Sequence, residues 1–184
     1  MSGIFWGFFF VFLNFNLTFN GHALNLLPTF VGYWILVRSM DALSGESELF
    51  GALRPFVVGM AVYTAILWVG DLLAITSSGP VSMVLGLLST LVSLYTAWGV
   101  SRAVEDMERT RSADLGAVGL RKAWMVLAVG EALSMVSLAL LVLLGGVVGM
   151  LAVVCGLVAL VGIVWYLVAL WSTKTRYEAL HVGK

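Results

Sequence analysis

VVGMLAVVCGLVALVGIVWYLVALW, residues 147–171, contains no charged side chain. At about 1.5 Å of helical rise per residue the run is long enough to cross a hydrocarbon layer of about 30 Å. Three similar runs precede it, over residues 55–76, 80–103 and 123–144. Two shorter apolar runs come first, over 4–19 and 28–43. Sixteen residues of helix reach only about 24 Å, slightly short of a crossing. The pattern predicts an all-α fold, a polytopic transmembrane helix bundle of six helices in one domain spanning 1–184. The alternative is four long helices plus an N-terminal re-entrant hairpin.

Composition points the same way. Of the 184 residues, 61% are hydrophobic and 11% are charged, against about 25% charged in a soluble domain. Mean hydropathy is +1.03. One globular core cannot hide that much apolar surface, so lipid is the expected solvent and the cell membrane the expected location, multi-pass. Net charge is zero, which gives no basis for nucleic-acid binding. Cys155 is the lone cysteine. It excludes an intrachain disulfide and a cysteine metal cluster, and its apolar run assigns it to packing. MSGIFWGFFFVFLNF, residues 1–15, has neither a basic start nor a small-residue cleavage site, and is read as part of the mature fold.

The basic residues set the orientation. Arg38 and Arg54 flank the link between the second and third runs. Arg102, Arg109, Arg111, Arg121 and Lys122 surround the link between the fourth and fifth, and Lys174, Arg176 and Lys184 lie in the tail. These are all 10 basic residues of the chain. The links at 20–27, 77–79 and 145–146 hold none. By the positive-inside rule both termini and the charged links are cytoplasmic. Trp6, Trp98, Trp124 and Trp171 fall near the same inner boundary, where indole suits the headgroup region. Pro28, Pro55 and Pro80 stand at expected helix starts, where a missing N–H costs little.

Small residues mark expected close helix contacts. Ser82, Gly86, Ser89 or Thr90, Ser93 and Ala97 form one stripe, Gly145 and Gly149 a second, and Gly3 and Gly7 a third. The link SRAVEDMERTRSADLGAVGLRK, residues 101–122, has mixed charge. Its first half can continue the fourth helix into water, with Glu105 and Arg109 as an i,i+4 pair, and Gly116 and Gly119 mark the turn. It and the link 39–54 are either ordinary wet loops or a surface for a protein partner.

Polar residues at membrane depth are the candidate site. FNLTFNGHALNLLPTF, residues 15–30, interrupts the apolar chain with amides and an imidazole. Asn14 falls about 15 Å into the first helix, and Asn16, Thr18, Asn20, His22 and Asn25 follow toward the outer face. The alternation of Asn14, Asn16, Thr18 and Asn20 with Phe15, Leu17 and Phe19 has period two and does not match a continuous helix. Irregular backbone at depth lines a wet cavity or is buried in protein; transport sites use such breaks. The competing account is a shallow outer loop in which Asn side chains cap helix ends. Asn16-Leu17-Thr18 also matches a glycosylation triplet, too near lipid to credit. Asp71 lies about 24 Å along the third helix, where His22 is its possible partner. Asn14, Asn16, Asn20, His22, Asn25 and Asp71 are therefore the candidate ligand-binding set. Glu131 lies about 13 Å inside the fifth helix, and Arg38 falls at a comparable depth in the second. A buried Arg38–Glu131 pair would answer the desolvation cost of both. Arg38 can instead snorkel or pair with Asp41.

NLLPTFVGYWILVRSMDAL, residues 25–43, resembles a stretch of small uncharacterised integral membrane proteins of Gram-positive bacteria. Leu27, Pro28, Phe30, Val31, Gly32 and Tyr33 carry the likeness, and Thr29 stands where that group has an acidic residue. The resemblance implies membrane location and no particular activity. Size and topology are also similar to the substrate-capturing subunits of energy-coupling vitamin transporters, although the alanine-spaced coupling face of their first helix is replaced here by Ser2-Gly3-Ile4-Phe5-Trp6-Gly7.

Two functions follow as expectations. One is binding or transport of a small solute through an outward-facing polar cleft. The other is a structural or regulatory membrane subunit that binds a membrane or cytoplasmic protein partner through its cytoplasmic loops. No nucleophile–base spacing, His-x-x-x-His, P-loop or dinucleotide fingerprint supports an enzyme, and no metal or cofactor is called for.

Overall fold

The computed structural model describes residues 1–12, 16–19, 22–25, 29–72, 80–144 and 149–182. The elements are α1 (Ser2–Phe12), β1 (Asn16–Phe19), β2 (His22–Asn25), α2 (Thr29–Leu43), α3 (Glu48–Leu72), α4 (Pro80–Arg111), α5 (Ala117–Leu144) and α6 (Gly149–Val182). Each helix packs on its neighbours in chain order, and α1 closes the circuit against α6. The six helices thus form a ring around a shared apolar core.

Helices α3, α5 and α6 are long and apolar enough to cross a membrane, over Glu48–Gly70, Ala117–Leu141 and Gly149–Leu180. Three of the six expected crossings are met on length and composition. The surface is apolar where a soluble bundle would be charged: Met150 is 86% and Ile66 66% exposed. Hydrophobic side chains outside, with Thr96, Ser101 and Ser137 buried inside, suit a lipid surround. The buried hydroxyls mostly answer their own helices: Thr64 donates to the Met60 carbonyl at 2.6 Å, Thr96 to Val92 at 2.8 Å and Ser101 to Ala97 at 2.9 Å.

The first helix is shorter than expected. α1 has 11 residues and stops at Phe12, and residues 16–19 form a strand instead of its outer end. α2 has 15 residues. Both fall below the roughly 20 residues of a full crossing. They run antiparallel, since a side chain at Gly7 would meet Leu36 and one at Gly32 would meet Val11. The pair returns the chain to the end at which it began.

The long helices extend further into the charged links than hydropathy suggests. α3 begins at Glu48, so Pro55 lies inside it and not at its start. Pro55 cannot donate to the Gly51 carbonyl, but Gly51 and Pro55 are both exposed, and solvent can answer that carbonyl. α4 continues to Arg111, α5 begins at Ala117 and α6 runs to Val182. Glu105 and Arg109 form the expected i,i+4 pair, at 2.7 Å. Gly116 does occupy the turn, with φ +84°, a conformation that favours glycine; Gly119 is helical.

The core is densest at this charged end. Leu36, Met40, Phe50, Val57, Val100, Val104, Met107, Leu120 and Leu127 come from four helices, α2 to α5, and are essentially fully buried. Tyr166 of α6 is also fully buried and donates to the Ala97 carbonyl of α4 at 2.8 Å, tying the ring across its interior. Phe8 of α1 meets the same ring edge-on at 5.5 Å.

Candidate functional site

The polar stretch near the N-terminus holds two paired β-strands, in keeping with a first helix that does not continue through it. β1 and β2 pair antiparallel, with Asn16 opposite Asn25, Leu17 opposite Leu24, Thr18 opposite Ala23 and Phe19 opposite His22. A ladder of this kind satisfies backbone groups that an irregular loop would leave open. The period-two alternation was the correct signal. The residues between the strands are Asn20 and Gly21, and Asn-Gly between alternating segments is a strong hairpin signature. That dipeptide is what the amide-by-amide reading missed.

The hairpin brings Asn16 and Asn25 together as cross-strand partners. β2 lies beside α3, whose last turn carries Asp71. Asn14 and Asn20 lie outside the described residues. His22 faces Phe19 in the register.

Arg38 and Glu131 are not brought together. α2 packs on α1 and α3, whereas α5 packs on α4 and α6. The Arg38 guanidinium lies over the Trp34 ring one turn back, 5.6 Å from its centroid, and the residue is exposed. Matching depth says nothing of the direction in which each helix points its side chain. An exposed arginine reaches a π face on its own helix without a buried carboxylate.

The most fully built polar region is the charged end of the ring. Ser47 precedes α3; its Oγ accepts from the Leu49 N–H at 3.3 Å and donates to Asp106 of α4 at 2.6 Å. It caps one helix while holding the next. Ser47→Ala should therefore cost about 1 kcal/mol, read as a melting-temperature loss of a few degrees in detergent. An unchanged melting temperature would mean that neither bond persists in solution.

Beside this cap, Glu46 pairs with Arg111 at the end of α4 and accepts from the Tyr177 hydroxyl of α6 at 3.4 Å. Arg111 also lies over the Tyr177 ring, 5.7 Å from its centroid. Across the next link, Glu108 accepts from the Leu115 and Ala117 N–H groups at 2.6 and 3.0 Å. Asp114 accepts from the Gly116 N–H at 2.9 Å and pairs with Arg176 of α6 at 2.7 Å. The links 44–47 and 112–116 are thus held to helix ends by bonds from three other elements. Asp41 and Arg54 add an outer pair at 2.5 Å; with both side chains about half exposed it contributes little stability.

This arrangement orders a surface. Among the described residues no group of three or more His, Cys, Asp and Glu could hold a metal ion. The acids named above are engaged with arginines, hydroxyls or backbone N–H groups. No family model, curated protein or solved structure matches the chain.

Proposed function

We propose that the chain is a multi-pass protein of the cell membrane that serves as a structural or regulatory subunit, binding a protein partner through its charged, cytoplasmic end. The observation that carries this reading is the fixing of both links there, by Glu46–Arg111, by the Glu108 cap and by Asp114–Arg176. Order in a polar surface costs chain entropy, and a preorganised surface lowers the ordering cost of association. Arg121 and Lys122 stand exposed on the first turns of α5, next to the fixed link. They give the face a basic edge for an acidic segment of the partner. The basic residues gathered at this end support its placement on the cytoplasmic side.

The test is stoichiometric recovery from gently solubilised native membranes. The wild-type chain is expected to retain one protein in fixed ratio. The double variant Arg121→Glu/Lys122→Glu should lower that recovery about tenfold with an unchanged melting temperature, because rim charges act on association more than on the fold. A wild-type chain that retains no protein, or a variant that retains it equally, overturns the reading.

A second reading is kept by one observation. The hairpin sets Asn16 opposite Asn25 and lies beside α3, the helix of Asp71. That supports a small-solute site at the opposite end. A small molecule seen by native mass spectrometry, absent from Asp71→Asn and unaccompanied by a protein, would favour solute binding over partner docking.

A further inference from the structure

Along α4 one stripe advances by alternating steps of four and three: Val84, Leu88, Leu91, Tyr95, Trp98, Arg102, Glu105 and Arg109. Such spacing keeps all of them on one face of the helix. The face is not covered by the ring. Every member from Val84 to Trp98 is a large exposed hydrophobic residue, and both arginines are exposed. Its chemistry is graded, from aliphatic through aromatic to charged.

At the charged end the stripe forms one wall of a groove of about 350 Å³ between α3 and α4. Leu49 and Leu53 of α3 supply the apolar wall opposite. The aromatic step is continuous: Phe56 of α3 meets Tyr95 edge-on at 5.3 Å, and Tyr95 lies 5.9 Å from Trp98. Arg102 covers Trp98, with its guanidinium 5.5 Å from the ring. Glu105 then stands between two arginines, 3.7 Å from Arg102 and 2.7 Å from Arg109. Two guanidinium groups share one carboxylate, which leaves that triplet with a net charge of +1. The fourth charged residue of the groove is Asp106, whose partner is the neutral Ser47 hydroxyl. The groove therefore presents one uncompensated positive site and one uncompensated negative site.

We propose that this groove holds a single phospholipid whose headgroup carries both a phosphate and a primary ammonium. The phosphate lies on Arg102 and Arg109, and the ammonium reaches Asp106. A guanidinium matches phosphate with several N–H donors, and a primary ammonium offers N–H donors to a carboxylate. The acyl chains run from Trp98 past Tyr95, Leu91 and Leu88 toward Val84. These fourteen helical steps cover about 21 Å, enough for one leaflet of a hydrocarbon core of about 30 Å. Aromatic side chains at the junction of tail and headgroup occupy the level at which Trp and Tyr are enriched in membrane proteins. The gradation from tail to headgroup favours a lipid over a packed helix, which would meet Arg102 and Arg109 with apolar surface or a matching acid. The proposal rests on the chain lying in a bilayer. It is independent of the protein-partner reading.

The probes are phosphatidylethanolamine, phosphatidylglycerol and phosphatidylcholine with matched acyl chains, offered at equal mole fraction in mixed micelles. Bound lipid is counted by native mass spectrometry. Resistance of the wild-type chain to alkaline extraction from membranes is checked first, so that a failure of the membrane reading shows separately. One phosphatidylethanolamine is expected per chain, favoured about fivefold over phosphatidylglycerol, which lacks the ammonium, and over phosphatidylcholine, which lacks its N–H donors. Arg102→Gln should lower retention of all three lipids. Asp106→Asn, which keeps an acceptor for Ser47, should abolish the preference while leaving phosphate-dependent binding. Equal retention of the three by the wild type, a preference for phosphatidylglycerol, or a second polypeptide cross-linked from position 98 in place of lipid would each overturn the proposal.

Discussion

Gly162→Leu should prevent recovery of a monodisperse folded protein, or lower its stability by about 3 kcal/mol or more. The reason is backbone contact. A Cβ placed on Gly162 would lie 2.7 Å from the Leu127 Cα and 2.9 Å from the Leu127 N. The reciprocal contact, one turn away, sets a Cβ on Gly130 2.8 Å from the Ala159 Cα. A flexible side chain can move aside for an added methyl; a helix backbone cannot do so alone. Relief requires α5 and α6 to separate, which would uncover Leu127 and Ala159 and shift Tyr166 from the Ala97 carbonyl. Close approach of small residues is also a main source of helix association in lipid, where burial of apolar surface supplies little. Gly162→Ala already introduces the offending atom and should cost about 2 kcal/mol. Gly156 provides the control, since on the same helix its Cβ direction is open to 4 Å. Gly156→Ala should change stability by no more than about 1 kcal/mol. Melting temperature and size-exclusion profile in one detergent decide the matter. Equal behaviour of Gly162→Leu and Gly156→Ala would show that the α5–α6 approach is not as close as described.

Spacing alone could not choose those glycines. The stripe through Gly86 and the pair Gly145/Gly149 look as suitable as any, yet at Gly86 and Gly149 an added Cβ would meet nothing within 4 Å. A three- or four-residue repeat defines a face, but which face meets a neighbour depends on how the ring closes. The stripe at Gly3 and Gly7 was legible because it does lie on α2. Hydropathy located the six helices but not their ends. It falls where polar residues begin, whereas the helical ladder continues through i,i+4 pairs such as Glu105–Arg109 and caps such as Ser47. The tryptophans divide in the same way. Trp6, Trp98 and Trp171 are exposed as expected of anchors, while the indole of Trp124 donates to the Leu94 carbonyl at 3.0 Å and joins α5 to α4. Of the candidate site, the period-two break was legible in Asn16, Thr18 and their neighbours, and its resolution as a hairpin lay in Asn20-Gly21. The Arg38–Glu131 pairing failed because depth can be counted along a chain and azimuth cannot.

Glu108→Ala should cost about 2–3 kcal/mol, more than any exposed ion pair at the same end. Its carboxylate oxygen accepts from the N–H of Leu115, in the link, and from that of Ala117, which opens α5 and has no helical carbonyl one turn back to bond. Leu115 is fully buried, so water does not readily replace the lost acceptor. A negative charge at a helix N-terminus adds a favourable dipole term. The link it fixes also includes Ser112 at φ +50° and Gly116 at φ +84°, conformations that a tethered segment keeps more easily than a free one. Glu108→Gln separates the contributions, because an amide oxygen can accept both bonds without the charge. It should cost about 1 kcal/mol. Hydrogen exchange should accelerate at the Leu115 and Ala117 amides in Glu108→Ala and far less in Glu108→Gln. Identical losses in the two variants would mean that charge alone matters and that the double cap is not maintained. The same pair also probes the proposed partner surface. Glu108 lies beneath the 112–116 link and changes none of its exposed charges. Weaker partner recovery in Glu108→Ala, restored in Glu108→Gln, would therefore locate the requirement in the shape of the link and not in its net charge.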